Sequence, residues 1–274
     1  MSVKIIASDL DGTLMAPDHE SITERTLNAL VKAHEMGVKL AISTGRTLSH
    51  IKSVSDKLPF IDYIIYSNGA AAYDCKAEKT VFSRPIDRAK AAVLMELISP
   101  MDLFMNVYAE GKIYAPGQAA DYSDIAGLPK DFLEHFMQLV NFCGDLKGEL
   151  SGRDAEIITA YYMSDGDRRK ILDKIRELGG LTYVSSIMDN IEIMSDKAGK
   201  GAALSALCSI EGCTRENAMA FGDASNDCSM LEFAKYSFAM ANGDEACKRS
   251  AAFVTASNGE DGVAQAVERL VLNL

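Results

Sequence analysis

Positive charge is in deficit in this sequence: 28 Lys and Arg face 39 Asp and Glu, a formal net charge of -11 at pH 7. Neutralising phosphates along a duplex takes a basic face, so this balance argues against nucleic acid as a partner. A small anionic substrate stays open, because one divalent cation inverts the local field. Long apolar runs are missing too, with none near the roughly 18 residues of a membrane helix. The start, Met1-Ser2-Val3-Lys4-Ile5-Ile6, turns acidic by Asp9 and lacks the apolar stretch of a signal peptide. The expectation is a cytoplasmic protein with no membrane partner. The six cysteines (Cys75, Cys143, Cys208, Cys213, Cys228 and Cys247) contain no C-x-x-C pair. Scattered over a large chain, they read as reduced, mostly buried thiols. The four histidines, His19, His34, His50 and His135, have no metal-ligand spacing and build no triad. A P-loop ending at Lys200 would need glycine at Met194, and there is no internal repeat or low-complexity tract.

What is present is an ordinary globular balance, 48% apolar and 24% charged over 274 residues, enough for a core plus an insert. Strand and helix alternate at both ends. Residues 3–8 predict a buried strand, 23–36 an amphipathic helix stopped by Gly37, 38–42 a strand, 47–58 a helix and 63–66 a strand. The rhythm returns with a helix over 201–210, a strand over 218–221, a helix over 227–234, short strands at 237–240 and 252–254, and a helix over 261–272. Alternation of this kind predicts right-handed parallel βαβ units. The middle differs. Segments 101–109 and 112–115 around Glu110-Gly111 predict a hairpin, with helices at 87–98, 131–142 and 167–178 and strands at 156–163 and 181–184. The predicted architecture is an α/β doubly wound parallel sheet (residues 1–83 and 189–274) split by an inserted α+β domain (84–188).

In an open parallel sheet, ligands sit beyond the carboxyl ends of the strands. Four predicted strands end in polar clusters: Asp9-Leu10-Asp11-Gly12-Thr13, Thr44-Gly45-Arg46, Asn68-Gly69, and Gly222-Asp223 followed by Asn226-Asp227. An ionised carboxylate at Asp9 can attack phosphorus. Asp11 can protonate the leaving alkoxide and then deprotonate water. Gly12 permits a turn that brings amides to a phosphoryl oxygen. Asp9, Asp223 and the backbone carbonyl of Asp11 make an oxygen-rich magnesium site, with Asp227 orienting a metal-bound water from the next turn. Thr44, or its neighbour Ser43, suits phosphate oxygens, and so do the amides of Gly45, Arg46 and Gly69. Asn68 and Asn226 can hold the loops or touch substrate. Charge building on the phosphoryl group needs a cation, for which Lys200 and Lys197 are the candidates; the Gly199-Lys200-Gly201 context favours Lys200. Each motif alone has a plainer reading, an Asp-Gly turn or a helix cap. Four together at strand ends favour a site.

These residues resemble the haloacid dehalogenase superfamily, and within it the Cof-type (subclass IIB) phosphatases. The resemblance runs in order through Asp9-Leu10-Asp11-Gly12-Thr13-Leu14, Ser43-Thr44-Gly45-Arg46, Ser67-Asn68-Gly69-Ala70, Ile191-Glu192-Ile193, Lys200-Gly201, Phe221-Gly222-Asp223, Asn226-Asp227, Met230-Leu231 and Asn258-Gly259-Glu260-Asp261-Gly262-Val263. It departs at Ala224-Ser225 and at Asn242-Gly243, where the family commonly has Asn-Ala. The resemblance implies a phospho-aspartyl intermediate on Asp9, acid/base work by Asp11, and magnesium held through Asp9 and Asp223. It also implies phosphate contacts from Thr44, Asn68 and Lys200, and a mobile cap that reads the substrate. The expected substrate is a small phosphate monoester, a sugar phosphate first and a cofactor phosphate next, turned over by a monomer or homodimer. The competing reading is a sugar phosphomutase of the same superfamily.

Overall fold

The computed structural model describes residues 3–18, 20–55, 58–101, 103–118, 136–185 and 190–274. Fourteen strands occur among them. They are β1 (Ile5–Asp9), β2 (Lys39–Ser43), β3 (Tyr63–Tyr66), β4 (Ala71–Asp74) and β5 (Lys79–Ser83); then β6 (Phe104–Ala109), β7 (Lys112–Pro116), β8 (Val140–Cys143), β9 (Ala155–Tyr161), β10 (Leu181–Val184) and β11 (Ile191–Ser195); then β12 (Ala218–Gly222), β13 (Tyr236–Ala239) and β14 (Phe253–Val254). The chain divides into two compact units, Met1–Gly45 with Ser53–Ser83 and Gly199–Leu274, and Arg46–Lys52 with Arg84–Ala198.

The first unit is built on an eight-stranded sheet in the order β14-β13-β12-β1-β2-β3-β4-β5. The six strands from β14 to β3 are parallel. A strand covered by helices on both faces should be apolar without alternation, and Ile5-Ile6-Ala7-Ser8-Asp9 is buried at all five positions. One face packs Ile5, Ala7, Ala41 and Ile65 against Leu204, Leu207, Met230 and Leu231 of the helices Lys200–Ile210 and Cys228–Phe233. The helix Glu24–Glu35 starts where Thr23 accepts a hydrogen bond from the Thr26 amide at 3.2 Å, and it buries Ala29, Leu30 and Ala33. From β1 the chain winds outward through β2 and β3, whereas β12, β13 and β14 wind the opposite way. The winding therefore reverses between β1 and β12, the place where an open α/β sheet leaves a crevice at its carboxyl ends. The antiparallel pair β4 and β5 extends the far edge, an addition that the sequence reading did not foresee.

The second unit carries a six-stranded sheet in the order β10-β11-β9-β6-β7-β8, antiparallel except for the parallel pair β7 and β8. Glu110 and Gly111, both at positive φ, form the expected two-residue hairpin turn between β6 and β7. Helices Arg88–Ile98 and Asp165–Leu178 cover one sheet face through Leu94, Ile98, Ile171 and Ile175, packed on Val107, Ile158 and Ile193. Caps set where both begin: Asp87 accepts from the Ala89 and Lys90 amides, and Ser164 accepts from Asp167.

Two expectations change. Of the helix read at 131–142, residues 131–135 lie outside the described residues, 136–139 are helical, and Val140–Cys143 is instead a strand paired with β7. Strand pairing with an apolar neighbour outweighs a helical periodicity of barely three turns. The expected return to the core at residue 189 lies outside the described residues, and Ile191–Ser195 belongs to the second sheet, between β10 and β9. The second unit thus runs to Ala198, and it also includes Arg46–Lys52. His19 and His135 lie outside the described residues. Among those described, no helix is long and apolar enough to cross a membrane, and all six cysteines are free thiols.

Candidate active site

Asp9 is the last residue of β1, buried with 6% of the residue exposed, and its register partner in β2 is Ser43. The chain then makes a tight helical turn over Leu10–Leu14, broken by extended Asp11 and by Gly12 at φ +80°. Glycine is required there twice over. The left-handed φ is costly for other residues, and a Cβ at position 12 would lie 2.5 Å from Asp223 Oδ2. The missing side chain is what lets the turn after β1 meet the loop after β12. Thr13 completes that meeting: its hydroxyl donates to Asp223 Oδ1 at 2.7 Å, 210 positions along the chain.

Lys200 opens the helix Lys200–Ile210 after Gly199 and is fully buried. Its ammonium donates to Asp9 Oδ1 at 2.5 Å and to Asp227 Oδ1 at 2.6 Å. Asp227 is fully buried, and its second oxygen accepts from the Asp223 and Ala224 amides at 3.0 and 3.1 Å. Asp227 thus holds both the lysine and the backbone of the loop that carries Asp223. Lys197, the other lysine considered, is exposed.

Asp9, Asp223 and Asp227 each offer a carboxylate oxygen within 4.8 Å of the others. Three carboxylates against one ammonium leave two negative charges in excess in a largely buried site. Such an excess is costly unless a cation balances it, and hard oxygen donors suit magnesium. Burial is the main cause that holds the Asp9 carboxyl well above its ordinary value of 3.8; Lys200 opposes the shift, and Asp227 and Asp223 add to it. Burial likewise raises Asp223, against the hydrogen bond from Thr13. For Lys200, burial alone would lower the ammonium pKa, but Asp227 and Asp9 outweigh it and raise it. The lysine is therefore a fixed cation.

The neutral predicted residues gather on the other side of β1. Thr44 is buried just past β2; its amide donates to the Ile65 carbonyl at 2.9 Å, and its carbonyl accepts from the Asn68 amide at 3.1 Å. Asn68 adopts a left-handed φ of +52°, and its carboxamide oxygen accepts from Asn226 Nδ2 at 3.0 Å. A Cβ on Gly45 would lie 2.9 Å from that same Asn68 oxygen. At Gly69 the approach is closer still, with a Cβ 2.2 Å from the Gly199 carbonyl carbon. The Gly69 carbonyl accepts from the Gly199 amide at 3.3 Å, so the Asn68 turn locates the start of the lysine helix. Arg46 falls in the second compact unit.

Three contributors carried no role in the sequence reading. Thr13 stood within the quoted motif, and its spacing after Gly12 was the available signal. Ser229 accepts from the Gly201 amide at 3.1 Å, and Asn242 donates to the Gly12 carbonyl at 2.8 Å. Neither has a spacing rule that reaches across the chain.

The haloacid dehalogenase-like hydrolase family matches residues 6–267. The chain is 27% identical over 272 residues to the 5-amino-6-(5-phospho-D-ribitylamino)uracil phosphatase YcsE of Bacillus subtilis, covering 99% of this chain and 97% of that one. It is 28% identical over 276 residues to the pyridoxal phosphate phosphatase YbhA of Escherichia coli, covering 97% of each. A solved haloacid dehalogenase-like hydrolase from B. subtilis superposes with a TM-score of 0.81 at 28% identity, over 98% of this chain and all of that one (100%).

Proposed function

From the premise that this chain belongs to the haloacid dehalogenase-like hydrolase family, as a phosphatase, we propose that it hydrolyses small phosphate monoesters with magnesium, by way of a phospho-aspartyl intermediate on Asp9. The observation that carries this reading is the convergence of Asp9, Asp223, Asp227 and Lys200 at the point where the winding reverses. Magnesium held by Asp9, Asp223 and the Asp11 carbonyl supplies positive charge against which a dianionic phosphate can approach a carboxylate. Asp227, both of whose oxygens already accept hydrogen bonds from Lys200 and two amides, acts behind the ligands.

Lys200 engages Oδ1 of Asp9, which leaves Oδ2 to attack phosphorus. As the P–O bond to the leaving group breaks, Asp11 gives its proton to the departing alkoxide. Asp11 then takes a proton from water, which attacks the phosphoryl group on Asp9 and releases inorganic phosphate. Lys200 balances the charge that spreads over the phosphoryl oxygens. Thr44, Asn68 and the amides of Gly45 and Gly69 orient those oxygens, with Asn226 holding Asn68 in place.

Sugar phosphates are proposed first as substrates and cofactor phosphates next; the pyridoxal phosphate phosphatase among the relatives supports the second class. The test is a panel of both classes of ester, assayed for phosphate release with magnesium and again after chelation. Release that requires magnesium is expected. No release from any ester in the presence of magnesium contradicts the reading.

A further inference from the structure

The loop that follows β13 touches both segments that carry the acidic site. Asn242 donates from Nδ2 to the Gly12 carbonyl at 2.8 Å, and its Oδ1 accepts from the Asn258 amide at 3.0 Å. Asn258 in turn donates from Nδ2 to the Met15 carbonyl at 2.9 Å. The turn after Asp9 is therefore gripped at two carbonyls by two asparagine side chains from the far end of the chain. The same loop grips the opposing segment. The Asp244 amide donates to the Asp223 carbonyl at 2.8 Å, and Gly243 lies so near that a Cβ there would sit 2.8 Å from that oxygen.

These contacts form a bracket. On one side is the peptide of Gly12, next in the chain to the Asp11 carbonyl; on the other is the backbone of Asp223. Gly12 has the broadest backbone freedom of any residue type. Within the turn, the bond from the Met15 amide to the Leu10 carbonyl closes the two ends, not the middle. The Asn242 carboxamide holds the middle at the Gly12 carbonyl, next to the Thr13 hydroxyl that bonds Asp223 directly.

We propose that Asn242 is a positioning residue for the divalent cation: it sets the gap between the Asp9–Asp11 turn and Asp223, with Asn258 as its support. Asn242 touches neither cation nor substrate; it acts through the Gly12 peptide. The inference rests on the magnesium reading above and adds to it the residue that tunes affinity. Site geometry is the quantity at stake, because cation ligands must be held within a fraction of an ångström to keep their affinity.

The test is calorimetric titration of magnesium into metal-free protein, with the metal-free Tm measured beside it. For Asn242→Ala the Kd for magnesium should rise roughly three- to tenfold, the scale of one lost hydrogen bond that orients a ligand-bearing segment. Asn242→Gln, which keeps the carboxamide, should recover part of that loss, and Asn258→Ala should shift Kd the same way by less. If Asn242→Ala fails to fold, Asn258→Ala and Asn242→Gln still decide. Variants that lower the metal-free Tm but keep the parent's Kd would mark an ordinary structural bond and overturn the inference, leaving the magnesium reading intact. A parent protein that binds no magnesium overturns both.

Discussion

Lys200 donates to Asp9 at 2.5 Å from 191 positions away in the chain, and no part of the lysine reaches solvent. A buried ammonium is tolerated only with partners, and here Asp227 is the second. The helix Lys200–Ile210, the Gly69–Gly199 contact and the loop after β12 all serve to bring one cation to the nucleophile.

Replacing that cation with an apolar side chain of similar length, Lys200→Met, leaves Asp9 and Asp227 facing each other uncompensated. Breaking a buried pair in this way costs roughly 3–5 kcal/mol, and loss of a charge-stabilising group lowers kcat by about 10²- to 10³-fold. Thermal unfolding of the metal-free variant should show the lower Tm, with magnesium recovering part of it. A Tm and kcat equal to the parent's would mean that the lysine is only a buried packing element.

The raised carboxyls give a direction to pH dependence. Burial holds Asp9 and Asp223 above 3.8 in the folded protein, so over a window that starts there the folded chain keeps protons that the unfolded chain has released. Their contribution to stability is present below 3.8 and is lost as the pH rises through the elevated values. Magnesium competes with those protons. Metal-free protein should therefore lose this stability as pH climbs through the window, while the magnesium-induced rise in Tm grows over the same range. Thermal melts with and without magnesium across a pH series check both signs. A magnesium effect that shrinks with rising pH contradicts the assignment.

The parallel half of the fold was legible because its strands are apolar runs that stop at polar clusters, as Ile5-Ile6-Ala7-Ser8 does at Asp9. Such runs announce burial on both faces. In sequence, Ile191-Glu192-Ile193 of β11 resembles a family motif of the core; only its pairing with β9 and β10 assigns it to the second sheet. The hairpin β4–β5 escaped notice because Ala71-Ala72-Tyr73-Asp74 is short and has little apolar bulk. In the site, residue type and position at a strand end singled out Asp9, Asp11, Asp223 and Asp227, whereas Lys200 was preferred over Lys197 for its glycine context ahead of a helix and by the family resemblance. Thr13 lies inside the Asp9–Thr13 motif, where its spacing was the one signal; Ser229 and Asn242 act through hydrogen bonds to distant partners, and a lone Ser or Asn carries no periodic or spacing signal in the sequence.

The most direct measurement uses Asp11→Asn with a phosphate ester whose leaving group needs no proton, such as 4-nitrophenyl phosphate. The variant can still accept the phosphoryl group but has lost the base that activates water, so dephosphorylation should slow by about 10²- to 10⁴-fold. Acid quench followed by peptide mass analysis should then find one phosphoryl group on the peptide containing Asp9, and none when Asp9 is also changed to Asn. A variant that turns the ester over with no phosphorylated Asp9, or with the phosphoryl group on another residue, would contradict the account.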